Sequence, residues 1–100
     1  KPEWWNEEGL KVLSARVVRA APNNIQANQM RAAVLGNPGG GGAWQTTGRR
    51  SGAELSEGAT YYRRAAALSP APAMKAAFAR KAEDIDKMLR RGPDGFTFVH

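Results

Sequence analysis

The stretch Gly58-Ala59-Thr60-Tyr61-Tyr62-Arg63-Arg64-Ala65-Ala66-Ala67-Leu68-Ser69-Pro70 decides the fold. It is rich in alanine and holds no run of β-branched residues, so it favours helix. Pro70 lacks an N–H and would clash with the preceding turn, which closes the helix. Upstream, Ser51-Gly52-Ala53-Glu54 has the S-x-x-E form of a capping box, which opens it. The helix so delimited runs over 51–69 and places Leu55, Ala59, Tyr62 and Ala66 on one inward face. Its small residues let a second helix approach closely, and the aromatic ring fills the gap beside the crossing.

Three further helices follow from the same periodicity. The first is predicted over 3–21, with Pro2 and Glu3 suited to its opening and Glu3, Glu7 and Glu8 near the positive end of its dipole. Leu10, Leu13, Val17 and Ala20 recur at helical spacing and predict its buried face. Pro22-Asn23-Asn24 breaks it. The second helix is predicted over 24–35, with Ala27, Met30 and Val34 inward, and Gly36-Asn37-Pro38 supplies its stop. Four consecutive glycines at 39–42 resist ordering, so 36–50 is predicted as a surface loop anchored by Trp44. The fourth helix, 71–91, starts beside Pro70 and carries the stripe Met74, Phe78, Ala82, Ile85 and Leu89. Gly92-Pro93 ends it, and 92–100 is predicted as a short extended tail with Phe96, Phe98 and Val99.

The order small, aromatic, small and Pro in Gly58, Tyr62, Ala65 and Pro70 resembles the second helix of a tetratricopeptide repeat. Leu10, Val17, Val18 and Pro22 resemble the same element, with Ser14 where the family carries an aromatic. Pro22 and Pro70 stand 48 residues apart, about 14 more than a repeat of about 34. The segment 36–49 is itself 14 residues long and lies where the hairpin turn belongs. The resemblance therefore implies an all-α domain of four antiparallel helices, arranged as half a repeat, one hairpin with a swollen turn, and half of another. Segments 3–35 and 53–79 also resemble an uncharacterised tetratricopeptide-like family widespread in dinoflagellate algae. Departures are Gly58 in place of the family's Ala, and Ala79-Arg80 in place of its Leu-Gly pair.

One hundred residues make a single domain, 1–100. With no Cys, disulfides and thiolate metal sites are excluded, and the one His, His100, stands last in the chain. No apolar run reaches the ~18 residues of a membrane span. The chain opens on Lys1 rather than Met, so the expectation is an excised domain or a processed product, with an organellar setting consistent with its basic charge.

The glycine segment does not form a phosphate loop, because Arg49-Arg50 follow Gly48 where Lys-[ST] is needed. Glu83, Asp84 and Asp86 are read as a solvated face paired with Lys81 and Lys87 at i, i+3 and i+4 spacing. No pair of residues suggests a reaction, and no cofactor or metal is expected.

The net charge of +6 leaves protein, nucleic acid and anionic surfaces open as partners. Arg49-Arg50, Arg63-Arg64, Arg80-Lys81 and Arg90-Arg91 could meet phosphates. Adjacent residues on a helix point about 100° apart, however, so the pairs cannot all join one patch, and no nucleic-acid motif is present. The family resemblance implies a peptide groove lined near Asn28, Arg31, Lys75 and Ala79. It also shows that the family's carboxylate-clamping Lys and Asn are replaced by Gln29, Ala33, Met74 and Phe78. The expected function is a non-enzymatic protein-interaction or scaffolding module within a larger assembly, with a basic nucleic-acid-binding domain as the alternative. The binding residues expected are Arg31, Arg63, Arg64, Arg80, Trp44, Phe96 and Phe98.

Overall fold

A computed structural model describes residues 7–36 and 50–91, and among them every regular element is helical. The helices are α1 (Glu7–Ala20), α2 (Ile25–Gly36), α3 (Gly52–Leu68) and α4 (Pro72–Arg91). Packing follows chain order: α1 lies on α2, α2 on α3, and α3 on α4. The start of the first expected helix at 3–6, the loop segment 37–49 and the tail 92–100 lie outside the described residues. Trp44, Phe96 and Phe98 fall there too.

Local signals place the helix ends. Asn24 caps α2, its Oδ1 accepting the Ala27 N–H at 2.8 Å. At α3 the capping box forms in both directions. Ser51 Oγ accepts the Glu54 N–H at 3.1 Å, and Glu54 Oε1 accepts the Ser51 N–H at 3.0 Å. Ser69 closes α3, its hydroxyl donating to the Ala65 carbonyl at 2.8 Å, while Lys75 Nζ reaches the Ala66 carbonyl at 2.9 Å. A cation at the carbonyl end of a helix complements its dipole. α4 begins at Pro72 rather than beside Pro70, so the second of the two prolines takes the first helical position.

The core forms around α3. Leu55, Ala59, Tyr62, Ala65 and Ala66 are buried there against Ala32 of α2 and Phe78, Ala82 and Ile85 of α4. The Tyr62 and Phe78 rings stack with centroids 6.3 Å apart. Buried rings of this kind bring a large apolar area into the core. The expected inward faces of α2 and α3 are buried as predicted. The α4 stripe begins one turn later than expected, at Phe78, because Met74 is 43% exposed.

Two expectations about the first half of the chain are corrected. On α1 the buried residues are Leu10, Ser14 and Val18, while Leu13 and Val17 are only half-buried and Ala20 is exposed. The helix is rotated because Ser14, fully buried, faces Arg31 of α2. Arg31 Nη1 donates to Ser14 Oγ at 3.1 Å and to the Lys11 carbonyl at 2.8 Å. A guanidinium thus fills the place beside Ser14.

The second correction concerns the ends of the expected surface loop 36–50. Gly36 is the last residue of α2 and is buried, and Arg50 is buried as well. Arg50 Nε donates to the Val34 carbonyl at 3.0 Å, satisfying one of the carbonyls that the end of α2 leaves without a helical partner.

Candidate functional site

A groove of about 400 Å³ opens where α1, α2 and α3 meet. α1 contributes Ala15, Val18 and Arg19, and the following turn contributes Pro22. α2 contributes Arg31. α3 contributes Glu57, Tyr61 and Arg64, whose spacings of 4 and 3 set them along one face of the helix.

Arg31 forms the floor. Its side chain is 13% exposed, and Nη2 meets Glu57 Oε2 at 3.3 Å while Nη1 is taken up by α1. Its Nε is buried and makes no hydrogen bond. A buried guanidinium N–H with no acceptor costs on the order of 1–3 kcal/mol, and such orphans mark places where a ligand or water completes the site.

Arg64 forms one wall and is held by neutral acceptors: Nε meets Asn28 Oδ1 at 3.2 Å and Nη2 meets the Pro22 carbonyl at 3.0 Å. Asn28 is fully buried and also donates to Pro22 at 3.0 Å and to Asn24 at 2.8 Å. The turn between α1 and α2 is therefore fixed by side chains from both α2 and α3. Arg19 stands exposed at the rim and Tyr61 is half-buried. Among the described residues, three guanidinium groups thus face one carboxylate, in a recess that concentrates their field.

The structure sorts the arginines expected to bind. Arg31 and Arg64 enter the groove. Arg63, next to Arg64, points elsewhere and pairs with Asp86 of α4. Arg80 is exposed on α4 and does not line the groove. Arg50 is taken up in the interior.

The expected lining set of Asn28, Arg31, Lys75 and Ala79 is not brought together here. Asn28 is buried behind Arg64, Lys75 caps α3, and only Arg31 lines the groove. Arg19, Glu57 and Tyr61 went unnoticed in the sequence. The spacing of Glu57, Tyr61 and Arg64 was the available signal, a polar stripe on the side of α3 opposite to Leu55, Ala59, Tyr62 and Ala66.

On α4, Glu83 and Asp84 are exposed, as expected of a solvated face. Asp86 pairs across to Arg63 rather than with Lys81 or Lys87, and Lys81 Nζ lies 5.9 Å from the centre of the Tyr62 ring. Burial raises the Tyr62 phenol above its ordinary pKa. The Glu54 carboxyl is held below the ordinary carboxylate range by its bond to Lys11 at 2.8 Å and by the Ser51 N–H. Among the described residues no group of three or more His, Asp or Glu is placed to hold a metal ion. No described helix is long and apolar enough to cross a membrane. Set against protein-family models, curated proteins and solved structures, the chain matches none.

Proposed function

We propose that this chain is a non-enzymatic protein-interaction module, a subunit or segment of a larger assembly, built from tetratricopeptide-like hairpins. In this reading α2 and α3 form one antiparallel hairpin, and α1 and α4 are the flanking halves of its neighbours. Two contacts support that arrangement. Arg64, late in α3, reaches the turn that starts α2, while Gly36, at the end of α2, lies against Gly58 in the first half of α3.

The observation that carries the functional reading is the groove. It draws recognition groups from three helices, and guanidinium, phenol and carboxylate side chains there are suited to orienting a partner's polar groups. Its rigid support comes from Asn28 and Ser14, both fully buried. The alternative, nucleic-acid binding through arginine pairs, is weakened by where those pairs point. Arg50 and Arg63 serve the protein's own helices, so no continuous track of cations runs along α3.

A photo-reactive residue at position 61, introduced into the protein in its native setting, tests the reading against the same probe at position 80. One discrete protein adduct is expected from position 61, and filling the groove with Ala15→Arg should remove it without changing the helical signal. Adducts from position 80 alone, or adducts to nucleic acid, would overturn the reading.

A further inference from the structure

We infer that the group the groove receives is a carboxylate of an acidic peptide segment, and that Glu57 holds its place in the free protein. This rests on the reading of the groove as a protein-binding site and names the chemistry it recognises.

The first argument is charge. Arg19, Arg31 and Arg64 line the groove, with Glu57 as the one acidic residue among the described lining residues. Arg64 meets only neutral acceptors, an amide oxygen and a backbone carbonyl. Its positive charge is therefore oriented by hydrogen bonds but not neutralised. An incoming anion gains from Arg64 without having to break those bonds.

The second argument is the quality of the contact already present. Charge-assisted guanidinium–carboxylate bonds run to about 2.7–2.9 Å and are frequently two-pronged. Glu57 makes a single contact at 3.3 Å from a side chain that is 45% exposed, whereas its partner Arg31 is 13% exposed. Glu57 is thus a loose occupant of a firmly held cation. The unpartnered Nε of Arg31 lies on the same guanidinium. When Glu57 swings out to solvent, Arg31 can present Nη2 and Nε together, the edge that grips a carboxylate with two parallel bonds.

The third argument is shape. A recess of about 400 Å³ holds one or two side chains rather than a duplex or a bilayer surface. Tyr61, one turn beyond Glu57 and beside Arg64, adds a ring and a hydroxyl to the same recess. An extended segment carrying Asp or Glu next to an apolar residue fits these groups.

The test measures fluorescence anisotropy of three labelled probes with the whole chain: an eight-residue peptide of alternating Glu and Leu, its Gln-for-Glu counterpart, and a ten-nucleotide single-stranded RNA. The acidic peptide is expected to bind and the Gln peptide to bind at least ~10-fold more weakly. Arg19→Gln, at the exposed rim, should weaken the acidic peptide ~2–5-fold, the range of one exposed ion pair. Glu57→Gln keeps an acceptor oxygen and removes the competing charge, so it should tighten binding ~2–5-fold. Urea midpoints of both variants establish that they are folded. Equal binding of the two peptides would overturn the carboxylate inference while leaving the protein-binding reading intact. Weakened or unchanged binding by Glu57→Gln would overturn the place-holding role. RNA bound more tightly than the acidic peptide would overturn the inference and the protein-binding reading together.

Discussion

Gly58 of α3 lies backbone to backbone against Gly36 of α2. A Cβ added at Gly58 would come within 2.7 Å of the Gly36 amide nitrogen and 2.8 Å of its Cα. The obstacle is main chain, so it cannot rotate away. At Gly36 the clash is with the Ile85 Cδ1 of α4, at 2.6 Å, a side chain that can move. The two glycines thus let three helices meet at one point, which is the physical reason for Gly58 where an alanine would otherwise give the better helix.

Gly58→Ala is therefore expected to destabilise the domain, even though alanine is the better helix former by about 1 kcal/mol. Pushing α2 and α3 apart should cost about 1–3 kcal/mol net, the range of overpacked cores. Gly52→Ala is the control, because among the described residues a Cβ there meets only Leu89 Cδ2, at an ordinary 3.8 Å. Urea denaturation should show a lower midpoint for the first variant and an unchanged or slightly higher one for the second. Equal midpoints would show that the crossing tolerates the extra carbon.

Which features were legible in the sequence follows from how far their causes lie apart in the chain. The Ser51–Glu54 box depends on residues three apart, and the faces of α2 and α3 on spacings within one helix. The rotation of α1 was hidden because Ser14 is buried by Arg31, a residue of the next helix. Gly36 and Arg50 looked like loop residues because their partners, Gly58 and Val34, belong to other segments. Of the groove's described lining residues only Arg31 and Arg64 were expected, since the rest gain their meaning from where α1, α2 and α3 meet.

Ser14 and Arg31 should behave as one unit. Ser14→Tyr alone has no room, because the Arg31 guanidinium occupies the space an aromatic would take. Arg31→Ala alone leaves a cavity and removes the bonds to Lys11 and Ser14. Combined, the ring fills the volume the arginine vacates. The double variant is expected to be more stable than the sum of the two single losses by about 1 kcal/mol or more. A double-mutant cycle from urea curves measures this, and simple additivity would show that the two side chains do not share one space.

Arg50 separates a structural from a binding role. Arg50→Met keeps the aliphatic volume and removes the bond to the Val34 carbonyl at the end of α2. A loss of about 1–3 kcal/mol is expected, since a buried carbonyl is left without its donor. Arg63→Met, by contrast, breaks the ion pair of a half-exposed arginine with Asp86 and should cost no more than about 1 kcal/mol. Thermal unfolding of the two variants ranks them. The reverse order would mean that Arg50 is not held by α2.

Glu54 gives the fold an acid-sensitive joint. Its carboxylate accepts from the Ser51 N–H at 3.0 Å and meets Lys11 Nζ of α1 at 2.8 Å, so one side chain both caps α3 and ties α1 to it. Lys11 first and the Ser51 N–H second hold its pKa below the ordinary carboxylate value. The folded chain therefore gives up this proton at a lower pH than the unfolded chain does. The resulting stabilisation is fully present above the unfolded pKa of about 4.3 and is lost as pH falls through the lowered folded value. Because the pair is partly exposed, the contribution is about 1 kcal/mol or less. Urea midpoints measured from pH 7 down to pH 3 should fall less steeply for Glu54→Gln than for the wild type. At pH 7 the variant should already be weaker, since the glutamine amide cannot hold both the cap and the lysine. Parallel curves over the whole range would assign the acid sensitivity to another carboxylate.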